Sequence, residues 1–210
     1  MTPSSARGRL LLALLVLAPL AVVQCLTPTD AVAQTPTRPP SRGATPVKPD
    51  PGKVEIMREE SKLPAPVREM REAILAAARS GDIKELLIPI QWNELPPDFG
   101  AIKGRDPTDA FKAASVDGQG REILAALASI MTLPCAVVRE GRDIENNRVF
   151  VWPYLAKLAL GALTPEQEVD LLRLIPRETY AAAKKSGAYT HWYVAIGADG
   201  TWHAFRRPEN

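Results

Sequence analysis

Residues 189–207 read YTHWYVAIGADGTWHAFRR, and the middle of this stretch decides how the chain ends. Asp199-Gly200 lies between two runs rich in aromatic and β-branched side chains, the strongest short-range signal of a β-hairpin. Two registers compete. A two-residue loop at Asp199-Gly200 would pair Ala198 with Thr201. A three-residue loop, Ala198-Asp199-Gly200, pairs Gly197 with Thr201 and places Gly200 in the left-handed region, where glycine has no Cβ to clash. The second register is expected, because a type I turn followed by glycine suits Ala-Asp-Gly. It sets Trp192, Val194, Ile196, Trp202 and Ala204 on one face. Tyr193, Ala195, Thr201, His203 and Phe205 fall on the other, with His203 level with Ala195. A slip of one residue re-sorts one strand against its partner. Aromatics on both faces call for cover on both, and an isolated hairpin is marginal in water.

The rest of the chain supplies that cover. Thr164-Pro165-Glu166-Gln167 is a complete helix start, with Leu171, Leu172 and Ile175 as its buried positions. Pro176 breaks it, and a further short helix closes at Gly187. Arg121–Met131 carries Ile123, Leu124, Leu127, Ile130 and Met131 as a stripe at helical spacing, which reads as core. Beyond Pro134, Ala136–Val138 and Arg148–Trp152 are strands expected to pair antiparallel across the polar loop Arg139–Asn147. Pro153 bars extension of a central strand. Asp106-Pro107 starts another short helix. Residues 88–105 form a long connection that Trp92 and Phe99 can pin to the domain. Leu63–Ser80 is a helix with prolines in its first turn and Gly81 as its stop; Asp82 starts a short second helix. The fold expected is α+β: a helical N-terminal half packed on a small antiparallel sheet of about four strands, ending in the hairpin. It occupies residues 54–207 as a single domain, with 208–210 as a tail.

Two resemblances follow from particular phrases. FVWPYLAKLALGALTPEQEVDLL and GAYTHWYVAIGADGTWHAFRR resemble uncharacterised secreted proteins of alphaproteobacteria that end in a DGxWHxF hairpin. That resemblance implies export and transfers no catalytic residue. REAILAAARSGDIKELL, with the closing strands, resembles the cone-shaped SnoaL-like and nuclear-transport-factor-two-like domains. It implies a curled sheet around a pocket.

The N-terminus addresses location. Arg7 and Arg9 precede an apolar run, Leu10–Val23, that is short for a membrane span, and Ala31-Val32-Ala33 offers small residues for cleavage. Residues 1–33 therefore read as a signal peptide cut after Ala33, and the mature protein as periplasmic or secreted. The alternative is a lipid anchor at Cys25, although Val22-Val23-Gln24 lacks the small residue such a site wants. No stable transmembrane anchor is expected after cleavage. Residues 34–53 form a proline-rich linker (Pro36, Pro39, Pro40, Pro46, Pro49, Pro51), extended and semi-rigid by composition. On cleavage, Lys plus Arg falls from 26 to 24 and Asp plus Glu from 24 to 23, giving no electrostatic case for nucleic acid. Cys135 is then alone, so no intramolecular disulfide forms. Its apolar surroundings, LPCAVV, read as a buried inert thiol.

Chemistry is sparse. The histidines are His191 and His203, and no metal motif joins them to Cys135, so no metal or other cofactor is expected. No nucleophile motif is present, and nothing beside Cys135 would make it a thiolate. A cone-type acid–base pocket would use His203 and Tyr193 as its catalytic pair, with Phe205 beside them and Arg139 or Glu140 from a neighbouring strand. Glu166, Glu168 and Asp170 read as helix-start capping and solvation. The remaining candidate is a recognition surface of Tyr154, His191, Arg206 and Arg142, with the aromatic and arginine composition of a binding hot spot. A binding or accessory module of the cell envelope leads. Its expected partner is an envelope protein, a glycan or a small molecule. An enzyme centred on His203 is second and a structural envelope protein third.

Overall fold

The computed structural model describes residues 54–140 and 147–208. The expected signal peptide 1–33, with Cys25, the expected linker 34–53 and Arg142 lie outside the described residues.

Five strands form one antiparallel sheet in sequence order: β1 (Glu55–Met57), β2 (Cys135–Arg139), β3 (Arg148–Trp152), β4 (Tyr193–Gly197) and β5 (Trp202–Arg206). Six α-helices accompany them among the described residues: α1 (Ala65–Ser80), α2 (Leu87–Gln91), α3 (Pro107–Ala114), α4 (Arg121–Met131), α5 (Pro165–Leu172) and α6 (Arg177–Ser186). The α+β class is as expected. The additional strand is β1, which pairs Glu55 with Val137 and Met57 with Cys135. Three residues carry too little periodicity to announce a strand, and their partner lies far along the chain.

Local signals hold where they are strongest. The Thr164 hydroxyl accepts from the Gln167 N–H at 3.4 Å, and Gln167 Oε1 accepts from the Thr164 N–H at 2.9 Å. The Asp106 carboxylate caps α3 by accepting from the Thr108 N–H at 2.8 Å. In α5 Leu171 is buried, but Leu172 is 52% exposed and is not the core residue expected. The 88–105 connection begins helical, as the end of α2. Phe99 pins the remainder, edge-on to Phe111 at 4.8 Å and to Trp202 at 5.9 Å. Trp92 does not pin it, being 57% exposed.

One sheet face is closed. Val137, Phe150, Trp152, Val194, Ile196, Trp202 and Phe205 pack there against Val67, Met70 and Ile74 of α1 and Leu124, Leu127 and Met131 of α4. The other face is divided. A second cluster of Ala136, Tyr154, Leu155, Leu160, Leu171 and Ala183 covers the β1–β2 side with α5, α6 and the segment after β3. The β3–β5 side carries a smaller cluster, Val149, Val151, Ala195 and Ala204, with Val138, Ala156 and Tyr193 packed against it.

The hairpin turn has the expected three-residue loop. The Gly197 N–H donates to Thr201 O at 2.9 Å and the Gly200 N–H to Gly197 O at 2.9 Å. Gly200 has φ +91°, and a Cβ there would stand 3.0 Å from the Pro66 carbonyl oxygen. Beyond the turn the expected register fails. Ile196 faces Trp202, but Ala195 faces Ala204, Val194 faces Phe205 and Tyr193 faces Arg206. His203 is the extra residue of a bulge. In a regular strand Trp202 and Phe205, three positions apart, would face opposite ways and one would lose its cover. The bulge turns both into the closed core, and moves Ala204 to the other face beside Ala195.

The outer edge of β5 is paired. The Asp98 N–H donates to His203 O at 2.8 Å, and the Phe205 N–H to Asp98 O at 2.9 Å. The Trp202 N–H donates to Asn93 Oδ1 at 2.7 Å, while Asn93 Nδ2 donates to Pro89 O at 2.9 Å. Asn93→Ala should therefore cost about 1–3 kcal/mol, the penalty of stranding a buried donor. Trp92→Ala next to it should stay within about 0.5 kcal/mol. Urea unfolding of the two variants checks the contrast.

Candidate functional site

The half-covered face forms a groove of about 420 Å³. Val149, Val151, Ala195 and Ala204 make an apolar floor, which small side chains on β4 and β5 keep low. Polar groups stand around it. Glu140, just past β2, accepts from Lys157 Nζ at 3.3 Å across one side. Tyr193, Asp199 and His203 line the groove with them.

Gly197 shapes the hairpin end. A Cβ on it would lie 2.6 Å from both Asp199 Oδ1 and His203 Nε2, so the bare glycine lets imidazole and carboxylate converge above it. Asp199 is anchored: Oδ1 accepts from the Thr201 N–H at 3.0 Å and Oδ2 from the Thr201 hydroxyl at 3.0 Å. The bond from the Thr201 N–H does most to hold its carboxyl below the ordinary 3.8, and His203 adds to it. Tyr193 is oriented from behind. Its hydroxyl oxygen accepts from Arg206 Nε at 2.9 Å, and Arg206 Nη1 pairs with Asp98 Oδ2 at 3.2 Å. The phenol proton remains available to a ligand.

His203 and Tyr193 thus line one groove, together with Glu140. Phe205 does not join them, because the bulge sends it into the core. Asp199 reads only as a turn residue, and Lys157 is hidden in the apolar run FVWPYLAKLAL, on a 3-10 turn that the alternation of a strand does not announce.

Tyr154, expected on a recognition surface, lies in the interior. Tyr154 is 0% exposed, and its hydroxyl donates to Asp170 Oδ2 at 2.9 Å. Its phenol pKa is pushed up to about 12, chiefly by burial. The reason is the path after Pro153, which carries Tyr154 under α5, where a buried phenol needs the partner that Asp170 supplies. Asp170 and Glu168 are therefore more than capping: Glu168 pairs with Lys184 and joins α5 to α6. Arg206 serves the Tyr193 side of β5. His191 is half-buried, and burial, then Arg207, lowers its pKa from the ordinary 6.5 against the smaller pull of Glu122. Arg142 lies outside the described residues.

Cys135 is buried, and desolvation pushes its thiol up to about 12. Among the described residues no group of three or more His, Cys, Asp or Glu side chains is placed to hold a metal ion, and no helix is long and apolar enough to cross a membrane. The chain matches no protein-family model, no curated protein and no solved structure.

Two outcomes are expected. Cys135 should resist a thiol-specific disulfide reagent at about pH 8 until the protein is unfolded, since the thiolate is the reacting species; absorbance of the released thiol reports it. His191 binds its proton less readily folded than unfolded. Its contribution to stability is therefore retained above the ordinary 6.5 and declines as pH falls through that value toward its lower folded pKa. His191→Asn should flatten the fall in urea-unfolding stability measured between about pH 7.5 and 5.5.

Proposed function

We propose that this protein is an exported ligand-binding module of the cell envelope. Its groove on the β3–β5 face takes a small polar ligand bearing hydroxyl and carboxylate groups, such as an acidic sugar or a fragment of an envelope glycan. The observation that carries this reading is the composition of the groove. A low apolar floor suits the carbon face of a sugar ring, and the surrounding groups offer both signs of hydrogen bonding: Lys157 and Tyr193 as donors, Asp199 and Glu140 as acceptors. The export pattern in residues 1–33 and the linker 34–53 support an envelope location.

A second reading has one specific support. Convergence of His203 and Asp199 over Gly197 would let the imidazole trade a proton with a bound ligand while the carboxylate steadies its charged form, with Tyr193 as donor.

Calorimetric titration of the purified chain with uronic acids and acidic oligosaccharides tests the first reading. Ala195→Phe fills the floor and should abolish binding. Lys157→Ala should weaken acidic ligands about tenfold, the 1.4 kcal/mol of a lost charge-assisted hydrogen bond, and leave neutral sugars unchanged. Undiminished binding by Ala195→Phe sinks the proposal. If the wild type converts a ligand and His203→Gln binds it without converting it, the enzyme reading takes its place.

A further inference from the structure

A second, smaller cavity lies away from this groove, beneath the closed sheet face. It measures about 190 Å³ and opens between the residues after β1 and the end of α4. Arg58, Glu60, Leu63, Arg71, Thr132 and Cys135 are among its lining residues.

Arg71 is its unusual member. It sits on the inner side of α1, only 6% exposed, where a guanidinium needs partners for nearly all its N–H groups. Nη2 donates to Met131 O, at the end of α4, at 2.8 Å. The same nitrogen pairs with Glu60 Oε1 at 2.6 Å. Nε is shut off from solvent and has no hydrogen-bond partner. Nε–H and one N–H of Nη2 point the same way and form the side edge of the guanidinium, which receives a carboxylate through two parallel bonds. Glu60 meets only the Nη2 end of the group, as an ion pair. It is an incomplete match, and a loosely held one: its side chain is 61% exposed, on a single turn of 3-10 helix, Glu60–Lys62.

We propose that this cavity binds a small organic monocarboxylate, which displaces Glu60 and takes the Nε–H and Nη2–H of Arg71 side by side. Glu60 is then a resident stand-in that returns to water when the ligand enters. The size of the cavity suits a short acid. Leu63, Trp152 and the uncharged Cys135 thiol suit an aliphatic stem, and Arg58 adds a second positive charge. Glu59 and Glu60 at the opening disfavour a dianion such as phosphate. The site shares no residue with the outer groove, so either proposal can fail without the other.

The test is titration of the ¹⁵N-labelled chain with sodium acetate and sodium propionate, following the Arg71 Nε–H resonance, with sodium chloride at matched ionic strength. Both acids should give a saturating shift that chloride does not. Glu60→Gln removes the competing carboxylate and should lower the midpoint about tenfold, while Arg71→Lys keeps the charge, loses the paired edge and should bind neither acid. Should Arg71→Lys not fold, the Glu60→Gln comparison decides. An Arg71 resonance that does not move, an equal response to chloride (an adventitious ion only), or an unchanged midpoint in Glu60→Gln overturns the proposal.

Discussion

The outer edge of β5, which lacks a neighbouring strand of the sheet, is the constraint on which this fold turns. An edge strand exposes a row of N–H and C=O groups that must be satisfied or hidden. Here the segment after α2 does so, through Asn93 on the Trp202 N–H and the Asp98 main chain on His203 and Phe205. These contacts sit on either side of the His203 bulge and hold it. The bulge aims Trp202 and Phe205 at the same side, where Phe99 meets Trp202, Phe111 lies 6.4 Å from Phe205, and Trp192 stacks on Phe205 at 4.8 Å. Loop, bulge and aromatic core form one arrangement, and each lacks a reason without the others.

The same displacement makes the outer face what it is. With Phe205 turned inward and Ala204 turned outward, the floor beside Ala195 is small and low. Helices α5 and α6 reach only the β1–β2 half, anchored there by the buried Tyr154 and its bond to Asp170. The other half keeps a buried apolar floor bordered by Lys157, Glu140, Tyr193, Asp199 and His203. Close helix packing on one half of the face and a groove bordered by polar groups on the other thus come from a single asymmetry in how the helices return.

Legibility in the sequence followed the range of the interaction. Caps at Asp106 and Thr164, the helix stop at Gly81 and the turn at Gly200 act within a few residues, and each was readable. β1 was not, because its strand partner among the described residues, β2, lies far along the chain. The site was half legible. His203 and Tyr193 declared themselves as polar aromatics of a hairpin. Asp199 was masked by its duty in the turn, and Lys157 by its apolar neighbours. Tyr154 misled because an aromatic next to a proline reads as a surface feature until the chain is seen to pass beneath α5.

The amino-acid sequence by itself determined the class of fold, the order and type of nearly every element, and the loop that reverses the final hairpin. These rest on periodicity, capping and backbone permissiveness, which neighbours along the chain decide. Tertiary structure alone decided the register past that loop, the face on which each aromatic lies, and the placing of His203, Asp199 and Lys157 around one groove. Those depend on whether a distant segment satisfies the edge of β5, a hydrogen-bonding account that closes only once the chain has folded back on itself.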